Sequence, residues 1–70
     1  MIKFENSENG RYYYLYMHKD IFNELVITTI RGGMRNRIVQ TVYFHSRKKA
    51  LEEIDRISKI RIKRGYRLVS

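Results

Sequence analysis

Apolar and polar residues alternate at the start of the chain, with Ile2 and Phe4 set against Lys3 and Glu5, which fits a short first strand. Asn6-Ser7-Glu8-Asn9-Gly10 is a polar turn ending in glycine. Arg11 to His18 is rich in aromatics and reads as a second strand. Successive side chains of a strand point to opposite faces. Tyr13, Leu15 and Met17 therefore share one face, and Tyr12, Tyr14 and Tyr16 the other. The leucine and methionine mark theirs as the buried face, which leaves the three tyrosines as an outward stripe. After a loop over Lys19 to Asn23, Glu24 to Ile30 carries the β-branched run of a third strand. Arg31-Gly32-Gly33-Met34-Arg35-Asn36-Arg37 breaks it as a flexible basic hairpin loop. Ile38 to Phe44 is the next strand, with Val42 and Phe44 on one face and Thr41 and Tyr43 on the other.

The period then changes. Ser46 is a good N-cap, and Arg47 to Arg64 reads as a helix. Ala50, Leu51, Ile54 and Ile57 have helical spacing and form its packing face. Glu52–Arg56 and Asp55–Lys59 are i,i+4 pairs in the favourable order. Lys63 and Arg64 suit the negative end of the helix dipole, and Gly65 is placed for a C′ cap. Tyr66-Arg67-Leu68-Val69 adds a short final strand. The sum is an α+β domain spanning residues 1–70: an antiparallel meander of about four strands, one C-terminal helix packed on it, and a short last strand.

Composition narrows the function. The chain has 70 residues, enough for one domain. A domain of this size buries roughly 60% of the surface its unfolded chain exposes, so a deep active-site cleft is not expected. There is no cysteine, which excludes disulfides, thiolate chemistry and cysteine-ligated zinc. Together with the lack of an apolar leader at Met1–Glu5, this points to the cytoplasm. No apolar stretch approaches the length of a membrane span. Fifteen Lys/Arg against seven Asp/Glu give a formal net charge of +8. That bias predicts attraction to nucleic acid, anionic lipid or an acidic protein, the plainer alternative being solubility alone; the mixed-sign polar face of the helix sets the lipid surface last.

The C-terminal half also resembles a known family. Phe44-His45-Ser46, Ala50-Leu51, Ile54 and Arg61-Ile62-Lys63-Arg64-Gly65-Tyr66 are similar, without a gap, to the pattern of WGR domains. That pattern runs from Phe-x-Ser through Glu-Glu-Ala to a closing Lys-Thr-x-x-Gly-Tyr. Arg61 stands where the family has its lysine. Arg11-Tyr12-Tyr13-Tyr14-Leu15-Tyr16-Met17 is similar to the family's first long strand, so the resemblance covers about residues 10 to 66. The name motif Trp-Gly-Arg is absent, because the chain has no tryptophan. One register sets Arg31 on the family's arginine and Thr29 on its tryptophan, whereas counting back from Phe44 puts Ile30 there. The resemblance implies the fold. It also implies a DNA-binding module, though without the tryptophan that contacts DNA in poly(ADP-ribose) polymerases.

Three features carry candidate chemistry. Arg31, Arg35 and Arg37 flank two glycines, where planar guanidinium forks can take phosphate and the backbone can approach closely. The alternative is an ordinary hairpin with solvated charges. Arg61, Lys63, Arg64 and Arg67 form a second basic segment. Arg61 lies on the apolar side of the helical wheel, so it must snorkel past the core, bond a backbone carbonyl or meet a partner. Tyr12, Tyr14 and Tyr16 are suited to stack on bases or to anchor an interface, including one with a second copy of the chain. No enzyme, metal or cofactor is expected: His18 and His45 are isolated, and there is no phosphate-loop or triad-like motif. The leading expectation is a basic module that contacts the phosphate backbone of nucleic acid, DNA rather than RNA, with low sequence specificity. The alternative is a protein-interaction or regulatory module that uses the tyrosine stripe, as a homodimer or with an acidic partner.

Overall fold

The alternating segments fold as strands of one antiparallel sheet in a computed structural model that describes residues 1–70. They are β1 (Ile2–Glu5), β2 (Tyr12–Lys19), β3 (Leu25–Gly32), β4 (Arg37–Phe44) and β5 (Arg67–Leu68), with helix α1 (Arg47–Lys63) between the last two. The strand order is β4-β3-β2-β1-β5. Four strands thus follow one another as a meander. The helix then returns the chain to the far edge, where β5 pairs with β1 through Phe4↔Leu68 and Glu5↔Arg67. The α+β meander with one helix and a short final strand is the architecture expected from the sequence.

Register decides which residues meet. Leu15 faces Ile2 on one side and Thr29 on the other, and Met17 faces Ile27, which faces Val42. The residues on this side meet the helix. Phe4, Tyr13, Leu15 and Ile27 are buried with Ala50 and Ile57 of α1, and Ile2, Met17, Leu25, Phe44, Ile54 and Tyr66 pack around them. Burying each of the larger apolar side chains contributes about 1.5–3 kcal/mol. The split of β2 is as the alternation predicts, with Tyr13 and Leu15 inside and Tyr12, Tyr14 and Tyr16 on the other face.

The helix ends are set by local chemistry. Ser46 is extended, and its Oγ accepts from the Lys49 N–H at 3.1 Å, satisfying one of the free donors of the first turn. At the other end Gly65 adopts a φ of +90°, a conformation that glycine tolerates best. Its N–H donates to Ile62 O, and the Tyr66 N–H donates to Arg61 O at 2.9 Å. This paired closure fixes the chain's exit and seats Tyr66 beneath Arg61.

Three expectations need correction. Leu51 is not part of the packing face: it is 46% exposed. The helix touches the sheet along Ala50, Ile54 and Ile57, and Leu51 projects about 100° from Ala50, beyond that stripe. Arg56 pairs with Glu53, one turn back at i−3, rather than with Glu52, while Asp55–Lys59 forms at 2.8 Å as expected. The basic hairpin loop is also shorter than Arg31–Arg37. Arg31, Gly32 and Arg37 are strand residues, paired as Arg31↔Ile38 and Gly32↔Arg37, and only Gly33 to Asn36 form the turn. Gly32 permits this closure, because a Cβ there would lie 2.0 Å from the Asn36 carbonyl oxygen.

Candidate nucleic-acid interface

Shortening the hairpin separates its arginines. Side chains alternate along a strand, so Arg31, paired with Ile38, lies on the helix side of the sheet. Arg37, paired with Gly32, lies on the opposite side with Tyr12. Arg35 sits at the exposed turn. The three do not form one cluster.

A different set converges. The helical stripe Ala50, Ile54, Ile57 continues one turn on to Arg61, which reaches over the sheet rather than into water. Its guanidinium carbon lies 4.5 Å from the centroid of Tyr13 and 5.3 Å from that of Tyr66. Both aromatic rings attract the cation electrostatically. Its Nε is buried and has no hydrogen-bond partner. Neither the free snorkel nor the bond to a backbone carbonyl accounts for that nitrogen.

Arg61 forms part of the wall of an open concavity of about 460 Å³ at the β3–β4 end of the domain. Arg11, Arg31 and Arg35 line it as well, with Asn9, Asn36, Gly32 and Gly33. No aspartate or glutamate lines it. Four guanidiniums around one hollow, unopposed by carboxylate, suit an anion with several acceptor oxygens. Arg11 had no distinguishing signal in the sequence beyond its charge. It joins the site because the turn before β2 lies beside the β3–β4 turn, where the Arg11 side chain is 3.6 Å from a Cβ position at Gly33.

The remaining basic residues lie elsewhere. Lys63 and Arg64 are exposed at the helix end and do not line the concavity. Arg67 stands opposite Glu5 in β5, on the tyrosine side of the sheet, where it lines a smaller hollow with Arg11, Tyr12 and Tyr14. Of the fifteen Lys and Arg side chains, only Arg56 and Lys59 are ion-paired, so the basic surface is almost wholly uncompensated.

The tyrosine stripe lies on the sheet face away from α1. Tyr12 and Tyr14 pack with ring centroids 4.9 Å apart, and Tyr16 stacks on His18 at 4.8 Å. The Tyr14 hydroxyl donates to Glu5 Oε2 at 3.1 Å, and that bond, with partial desolvation, holds its phenol above the ordinary tyrosine range. Lys3 lies over the Tyr14 ring. In register beyond them come Ile30, Val39, Thr41 and Tyr43. Tyr12 lines the arginine concavity as well, so the aromatic row begins where the concavity ends. His18 bonds Thr28 at 2.9 Å, whereas His45 lies in a separate hollow beside α1. No group of three or more His, Cys, Asp or Glu side chains is placed to hold a metal, and no helix is long and apolar enough to cross a membrane.

No protein-family model, curated protein or solved structure matches this chain.

Proposed function

We propose that this domain binds nucleic acid, DNA in the first instance, by holding backbone phosphate in the concavity formed by Arg11, Arg31, Arg35 and Arg61. The observation that carries this reading is Arg61: a guanidinium packed against Tyr13 and Tyr66 in the wall of a hollow that three further arginines and no carboxylate line. A charge held in place before the ligand arrives loses less conformational freedom on binding than a surface arginine does. The net charge of +8 and the resemblance to WGR domains from Phe44 to Tyr66 favour the same reading. Contacts made to phosphate carry little sequence information, so specificity is expected to be low. Arg37, Arg67, Lys63 and Arg64 contribute long-range attraction from outside the concavity. We assign the domain to the cytoplasm and give it no catalytic role.

The experiment is fluorescence anisotropy with short duplex and single-stranded DNA, and with RNA of the same sequence, over a range of salt. Four phosphate contacts predict a slope of log K against log salt of about −3.6 on duplex DNA. Absence of binding at low salt, or binding indifferent to salt, refutes the reading.

One observation favours a second reading. The helix packs on the other face of the sheet, and on the tyrosine face Tyr16 and Tyr43 are exposed large aromatics, whereas Val26 between His18 and Tyr43 is buried. A protein partner seated there would make this an interaction module instead. Chemical-shift changes confined to that face, on titration with an acidic protein but not with DNA, would distinguish the two.

A further inference from the structure

The two edges of the sheet are built differently. β5 is two residues long, and beyond it the chain end stays bonded to β1, with the Val69 N–H donating to Lys3 O and the Lys3 N–H to Ser70 O. That edge strand is short, one of the usual ways in which sheet edges are protected. β4 is eight residues long and runs in unbroken register against β3, with no bulge. From Ile38 to Phe44 it reads Ile-Val-Gln-Thr-Val-Tyr-Phe, without a charge, a proline or a glycine. Every residue from Arg37 to Tyr43 is exposed, on both faces. In a chain of net charge +8, an uncharged seven-residue edge departs from the common device of an edge lysine.

The free hydrogen-bonding groups of this edge can be assigned. The Gly33 N–H donates to Asn36 O, which makes that pair a hydrogen-bonded one. Alternation along the ladder makes Arg31–Ile38, Thr29–Gln40, Ile27–Val42 and Leu25–Phe44 hydrogen-bonded pairs too. Ile38, Gln40, Val42 and Phe44 therefore direct their amides at β3. The N–H and C=O groups of Val39, Thr41 and Tyr43 point away from the domain.

We infer that β4 pairs antiparallel with β4 of a second copy of this chain, about a twofold axis at Thr41, to form one continuous sheet across both copies. Self-pairing about Thr41 engages the whole uncharged segment. Thr41 meets the partner's Thr41, and Val39 meets the partner's Tyr43, each pair exchanging two backbone bonds. On the helix side, Ile38 meets the partner's Phe44. Aromatic and β-branched residues thus face one another across the strands, a favourable pairing. A register centred on Gln40 would instead set Arg37 against the partner's Tyr43 and leave Phe44 unpaired. No like charges meet along the seam. The hollow of about 650 Å³ between β4 and α1 carries Lys49, Glu52, Glu53 and Arg56 in mixed sign, so it is compatible with a copy of itself. The arrangement leaves the tyrosine face open and does not depend on the nucleic-acid reading. At about 3.4 Å per residue, the two Arg35 turns would project at opposite ends of the seam, about 40 Å apart.

The test is sedimentation equilibrium of the full chain. The expected mass is twice the 8.6 kDa of one copy. Association should strengthen as salt screens the repulsion between two basic copies, the opposite sign from phosphate binding. Thr41→Lys and Thr41→Pro should both give monomers with an unchanged circular dichroism spectrum, because the Thr41 N–H makes no bond within the domain. Should either variant unfold, Thr41→Cys decides. In a chain without cysteine, oxidation should cross-link it quantitatively across the axis, while Lys59→Cys at the exposed helix face should not cross-link. A wild-type chain that stays monomeric at high concentration overturns the proposal. So does a dimer that persists in both Thr41 variants, or equal cross-linking at the two cysteine positions.

Discussion

The guanidinium of Arg61 lies 4.5 Å from the ring of Tyr13, an aromatic residue of the core. A cation that a helix end would normally give to solvent is instead packed against the sheet. This contact ties the hydrophobic stripe of α1 to the basic end of the domain. The two functions of the residue should therefore be separable. Arg61→Met keeps the apolar stem and removes the charge. Its thermal unfolding should shift stability by no more than about 1–2 kcal/mol, the scale of a partly desolvated cation–π contact, while affinity for duplex DNA falls clearly in anisotropy. Arg61→Lys should bind more weakly than wild type although the charge is retained, because a point cation cannot reproduce the fork.

Alanine at Arg11, Arg31 or Arg35 should each lower the salt slope by about 0.9 on duplex DNA, one phosphate contact apiece. Arg67→Ala, on the far side of the sheet, should change affinity without changing that slope by a full contact. The measurement is anisotropy repeated at four or five salt concentrations.

Core truncations should cost in proportion to burial. Phe4 and Leu15 are 2% and 1% exposed. Phe4→Ala should lose about 3–5 kcal/mol and Leu15→Ala about 2–5 kcal/mol, enough to unfold a domain of this size. Leu51→Ala should stay within about 0.5 kcal/mol of wild type, because that side chain lies off the packing stripe. Urea unfolding followed by circular dichroism reads all three.

The Tyr14 phenol is raised by its bond to Glu5 and, to a smaller degree, by desolvation and the nearby negative charge. A folded-state value above the unfolded one means that the protonated phenol contributes stability below about pH 10, and that this contribution fades as pH rises past the folded value. Glu5→Gln should move the Tyr14 transition down toward the ordinary tyrosine range. Ultraviolet titration of tyrosinate, with Tyr14→Phe identifying the transition, measures it.

Gly32→Ala places a methyl group against the Asn36 carbonyl, where there is no room. The Gly33–Asn36 turn should open, shifting the amide resonances of that turn and weakening DNA binding through displacement of Arg35. Gly10→Ala meets no atom, so its cost should come only from the positive φ of 72°.

Local patterns along the chain determined much of this protein. Alternation gave the strands and the inside and outside faces of β2, because a side chain's face follows from its place in the pleat. Ser46 and Gly65 set the ends of the helix through bonds made within a few residues. Arg61's position on the apolar stripe could be read from helical spacing alone. Tertiary structure decided what the sequence left open. The split of Arg31 from Arg37 depended on where the hairpin closes, which Gly32 settles by a contact with Asn36. The convergence of Arg11 and Arg61 on one hollow depended on the packing of a turn, a strand and a helix end that are far apart in the chain. The exposure of β4 followed from its place at the edge of the sheet, which the strand order sets. These are long-range outcomes: a residue's spacing fixes the direction in which it points from its own element, but only packing brings another element to meet it.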